Sequence, residues 1–139
     1  MISKPKLSAL AAVVAGAFVI PAHAAKWDMP LAYSAQNYHS ENAAVFAKCV
    51  TDGTKGALEI VTHPSGSLFK GNEIKRAVQT GQAPIGERLM SAHQNENALF
   101  AIDSLPFVAT SFEDAEKLWQ AAQPSIEKVL DKQNLVYLY

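Results

Sequence analysis

Strand-patterned and helix-patterned stretches alternate along the chain after residue 24, and this alternation restricts the fold more than any other feature of the sequence. A chain that switches repeatedly between a two-residue and a 3.6-residue apolar period lays its strands mostly parallel, because each helix carries the backbone back to start the next strand. Lys26 to Tyr33 sets Trp27, Met29, Leu31 and Tyr33 on one parity and Asp28 on the other, with Pro30 between them. A helix is predicted from about Ser40, its N-cap, to Asp52-Gly53, since Ala43, Phe46, Ala47 and Val50 recur at helical spacing. Leu58, Ile60 and Thr62 predict a second strand, closed by His63-Pro64-Ser65-Gly66. Ile74, Ala77 and Val78 make the inward stripe of a short helix, with Gly81 where a left-handed cap belongs. Ala83 to Gly86 and Ala101 to Val108 are predicted as third and fourth strands, the latter with Ile102 and Leu105 in the core. Ser111 and Asp114 have capping-box spacing ahead of a helix whose inward stripe is Ala115, Leu118, Trp119 and Ala122. Pro124 is predicted to start a further helix carrying Ile126, Val129 and Leu130, and Leu135 to Tyr139 a last strand. The expected class is α/β, a mostly parallel sheet flanked by helices. A strand that runs to the final residue suggests a piece of a longer protein.

The first 24 residues follow a different logic. Lys4 and Lys6 precede an uncharged, mostly apolar run from Leu7 to Ile20, then Pro21 and the small residues of Ala22-His23-Ala24. Positive start, apolar middle and small-residue end are the three parts of a cleavable secretory signal peptide, with cleavage expected after Ala24. The run is shorter than the roughly 20 residues that span a bilayer, which disfavours the alternative, a membrane anchor. Export places residues 25–139 outside the cytoplasm. Without Lys4 and Lys6, 10 of the 12 basic residues face 13 acids, so nothing electrostatic calls for nucleic acid or anionic lipid. Cys49 is the single cysteine and is expected in the core beside Phe46, where it forms no disulfide within the chain.

Catalytic patterns are poorly represented. Gly66 to Asn72 begins like a phosphate loop but has Asn72 where the lysine belongs. No G-x-S-x-G turn exposes a serine. His39, His63 and His93 lack the i, i+4 spacing of a helical zinc site. No enzyme, cofactor or metal is expected. Ligands of open α/β sheets bind beyond the carboxyl ends of the strands, which points to the loops Ser34 to His39, Pro64 to Gly71 and Glu87 to Asn97. Within the last, Arg88 offers paired donors that match a carboxylate; the alternative is an internal salt bridge with Glu87 or Glu96.

Several segments resemble a specific family in order and spacing. Gly56 to Leu68, with Pro64-Ser65-Gly66-Ser67-Leu68, resembles the strand and P-S-x-x-L loop of the solute-binding proteins of tripartite ATP-independent periplasmic (TRAP) transporters, C4-dicarboxylate-binding type. Glu73-Ile74 through Ala77-Val78-Gln79-Thr80-Gly81 resembles their E-x-x-x-A-V-Q-x-G helix. Asp103-Ser104-Leu105-Pro106-Phe107 resembles their D-x-P-F segment, followed by Phe112-Glu113-Asp114-Ala115 at the next helix; Ala43 to Ala47 also fits. The resemblance implies a periplasmic, monomeric two-lobed receptor that closes on a small organic acid and delivers it to integral membrane permease subunits. Residues 25–139 would then be the first lobe, with the second lobe absent. Carried over by position, its ligand contacts fall at Asn37 and His39 and at Glu87, Arg88 and Ser91. An extracytoplasmic sensor of the same fold is the alternative, and an exported α/β hydrolytic enzyme a more distant one.

Overall fold

The computed structural model describes residues 24–138; the predicted signal peptide, but for Ala24, lies outside the described residues. Its centre is a parallel pair of strands, β1 (Ala25–Pro30) and β2 (Leu58–His63), with Ala25 opposite Leu58 and Pro30 opposite His63. Helix α1 (Tyr38–Gly53) makes the crossover between them. Asn37, in extended conformation, caps it by accepting a hydrogen bond from the His39 backbone N–H at 3.0 Å. The predicted cap, Ser40, lies inside the helix, where its hydroxyl donates to the Tyr33 carbonyl.

Met29, Leu31, Ala43, Ala47, Ile60 and Ile85 form one buried cluster. Each large aliphatic side chain among them contributes about 1.5–3 kcal/mol on leaving water. Small Ala43 and Ala47 let α1 lie close on the sheet. Cys49 is exposed rather than buried: α1 turns its Ser40, Ala43 and Ala47 face inward, and Cys49 falls outside it.

The short helix α2 (Ile74–Gln79) buries Ile74 and Ala77 and ends before Gly81, whose φ of +74° is left-handed as expected. Ala83 to Gly86 is not a strand. It passes beside β1 and is tied to it by one parallel bridge, Leu31 to Glu87, where the Glu87 N–H donates to the Pro30 carbonyl at 3.0 Å. Ala101 to Val108 is not a strand either. A 3-10 segment, Ala98–Ser104, kinked at Ala101 and capped by Asn97, occupies its first half, and Leu105 is exposed. Phe100 and Ala101, not Leu105, enter the core.

Helix α3 (Phe112–Asp131) is one helix rather than two, with Pro124 inside it. Its N-terminus is capped as predicted, Ser111 Oγ accepting from the Asp114 N–H at 3.1 Å. Ala122, Ile126 and Leu130 pack with Phe100 in a second core cluster, Trp119 joins at its edge, and Ala115 is exposed. Residues 135–138 form no strand; Leu135 and Tyr137 pack against this cluster instead, with the Tyr137 ring 5.0 Å from that of Trp119. No helix among the described residues is long and apolar enough to cross a membrane.

Candidate functional site

Three backbone segments meet where β1 and β2 end. The Ser65 N–H donates to the Tyr33 carbonyl at 2.7 Å and the Gly66 N–H to the Leu31 carbonyl at 3.0 Å, which staples the loops after the two strands together. Gly66 and Ser65 both have positive φ, +63° and +60°, so the turn after β2 folds back tightly. The third segment arrives through the Leu31–Glu87 bridge. Gly86 is needed there, because a Cβ at that position would stand 2.7 Å from Ile74 Cγ2.

This junction places Glu87 and Arg88 on the wall of a cavity of about 760 Å³, together with His39, Lys75 and His93. The size falls within the range of small-molecule sites. Most of the remaining lining is apolar, including Trp27, Ile85 and Leu89.

Arg88 sits with its guanidinium carbon 5.6 Å from the centre of the Tyr33 ring. Gly71 makes room for it: a Cβ there would be 3.0 Å from an Arg88 terminal nitrogen. The internal salt bridges considered for Arg88 do not form. Glu87 lies against His39 (Nδ1 to Oε1, 3.7 Å), and Glu96 is taken by Lys75 and by His93. Arg88 Nε is buried and has no hydrogen-bond partner among the described residues. A guanidinium stacked on an aromatic face, with a donor unpaired, suits a planar anion.

Glu87 is the acidic neighbour. Its side chain is only 10% exposed, and Oε2 is buried without a partner among the described residues. Burial pushes its carboxyl above the usual carboxylate range, opposed by the charges of His39 and Arg88. His39 is fixed between two rings, its centroid 5.0 Å from that of Tyr33 and 4.0 Å from that of Tyr38.

Of the five residues expected at the site, Arg88, Glu87 and His39 are brought together on the cavity wall. Asn37 is not on that wall; its side chain serves the helix cap. Ser91 is half-buried in the 3-10 turn Met90–His93 and also lies off the wall. Lys75 was not expected, because its partner Glu96 is 21 residues away and no local pattern links the two. Among the described residues, no group of three or more His, Cys, Asp or Glu could hold a metal ion.

Residues 31–139 match the model of the bacterial extracellular solute-binding protein family 7, DctP. No curated protein matches the sequence. Among solved structures, a TRAP solute-binding protein from a marine metagenome, specific for pyroglutamate and bound to it, is 62% identical with a TM-score of 0.81. That match covers 84% of this chain and 38% of the other. DctP6 and DctP7 of Bordetella pertussis, extracytoplasmic solute receptors binding pyroglutamic acid, are each 46% identical, with TM-scores of 0.79 and 0.80. They cover 82% and 84% of this chain and 38% of their own. The chain thus spans little more than a third of the length of these relatives.

Proposed function

This chain belongs to the bacterial extracellular solute-binding protein family 7, and on that premise we propose that it serves a TRAP transporter as the ligand-capturing receptor. In this reading residues 1–24 direct export to the periplasm, and residues 25–139 act as the first of two lobes of a monomer. The bound acid is handed to integral membrane permease subunits. The solved relatives are receptors, and the family gives no ground for an enzyme.

The observation that carries the ligand class is Arg88, a partly buried guanidinium with an unpaired donor on a cavity wall. A carboxylate would meet that donor, and a charge-assisted hydrogen bond contributes about 1.5–3 kcal/mol. Glu87 and His39 flank the same position and face other groups of the ligand. Pyroglutamate is the ligand we propose, supported by the three pyroglutamate-binding relatives at 46–62% identity.

Calorimetry of the complete gene product against pyroglutamate, C4-dicarboxylates and keto acids tests the reading. Pyroglutamate is expected to bind most tightly, and Arg88→Ala to weaken it by about 10- to 100-fold, the equivalent of that hydrogen-bond energy. Absence of binding to every acid in the panel would sink the receptor assignment. Unchanged affinity in Arg88→Ala would remove Arg88 from the site.

A further inference from the structure

A second polar cluster, made of His93, Glu96 and Lys75, reaches the cavity wall through His93 and Lys75. His93 closes the 3-10 turn Met90–His93, its side chain 14% exposed, with Nδ1 3.2 Å from Glu96 Oε1. Glu96 is gripped in turn by Lys75, whose side chain is 9% exposed and whose ammonium lies 5.4 Å from the centre of the Phe100 ring. An ionised carboxylate can only accept, so the proton of the neutral imidazole is on Nδ1 and the lone pair on Nε2. Burial and the charge of Lys75 hold His93 below the ordinary histidine range, which favours that neutral ring.

Nε2 is buried with no partner among the described residues, and His93 lines the cavity that Arg88 and Glu87 also line. Buried acceptors are normally paired. Neither nearby cation is committed to this one: Lys75 is engaged by Glu96, and Arg88 is stacked over Tyr33. Glu87 Oε2 is the other unpaired acceptor on this wall, and it belongs to a carboxylate whose Oε1 already has His39 Nδ1 3.7 Å away.

We propose that His93 Nε2 accepts a hydrogen bond from an N–H group of the bound acid, making His93 a determinant of selectivity for cyclic amide acids over acids of the same shape without that donor. Glu96 and Lys75 are positioning residues: they set the tautomer and orient the ring. The inference rests on the receptor reading above. A site built to receive a hydrogen bond rejects an analogue that lacks the donor, because its own acceptor is then left unpaired.

The test compares pyroglutamate with its lactone, in which a ring oxygen replaces the N–H, by calorimetry on the complete gene product. The wild-type protein is expected to favour the lactam by at least about tenfold. His93→Phe is expected to abolish that preference by weakening the lactam alone. His93→Gln, which keeps an acceptor, is expected to retain it. Equal affinity of the wild type for both compounds overturns the proposal whatever the variants do. So does equal weakening of both by His93→Phe. Wild-type protein that binds neither compound removes the receptor reading itself, and this proposal with it.

Discussion

Gly71 and Glu87 show how single residues set the character of the wall. A methyl group at position 71 would crowd an Arg88 terminal nitrogen at 3.0 Å and Ala32 Cβ at 3.3 Å. The guanidinium is the end of a flexible side chain and yields first. Gly71→Ala is therefore expected to weaken acid binding about tenfold, a loss of about 1.4 kcal/mol, with little change in the melting temperature; a large fall in melting temperature with binding intact would contradict this. Glu87 carries a pH signature. Its carboxyl titrates higher folded than unfolded, so the native state holds the extra proton and stability falls as pH rises through the folded value. Glu87→Gln removes that cost. The variant is expected to unfold at higher denaturant than wild type at pH 8, with the difference vanishing below the ordinary carboxyl range. A constant difference across pH would show that Glu87 is not the group responsible.

At the scale of elements, α3 rests on a cap and tolerates a fault. Ser111 holds the Asp114 N–H, and losing such a cap costs about 1 kcal/mol, so Ser111→Ala should lower stability by that amount in urea unfolding. Pro124 sits in the helix interior, where it removes one backbone bond and crowds the preceding turn. Pro124→Ala should raise stability, and a variant no more stable than wild type would mean that the helix has already absorbed the proline at no cost. Locally, Pro124 favours a helix start, because proline suits a first turn. What carried the helix past it was the buried stripe of Ala122, Ile126 and Leu130, which spans the proline and packs against Phe100. Much the same happened at Ala83 to Gly86. Ala83 and Ile85 are almost fully covered, but a single bridge to β1 is all the ladder this segment makes.

For the whole molecule, the two-lobed reading proposed above makes residues 25–139 one wall of the site. Binding sites enclose roughly 70–90% of a small ligand, and a single wall leaves a carboxylate largely in water, where its hydrogen bonds to protein compete with those to solvent. Residues 25–139 expressed alone are expected to bind pyroglutamate weakly or not at all. Tight binding by that piece in calorimetry would show that one lobe suffices.

The elements that depend on neighbours in sequence were legible without the structure: β1 and β2 from their parity, α1 and α2 from their stripes, the Ser111 cap, and the left-handed Gly81. The α/β class followed from the same local order, as did the placing of Glu87 and Arg88 after a chain segment that runs beside β1. Tertiary structure alone decided which of several compatible faces was covered, leaving Cys49, Leu105 and Ala115 outside and Phe100 inside. It also decided the partners of each charge, giving Glu96 to Lys75 and leaving Arg88 Nε without a hydrogen-bond partner among the described residues. The physical reason is range. Periodicity and capping are settled within one or two turns of chain, whereas burial and ion pairing depend on groups that only the folded backbone brings within a few ångströms.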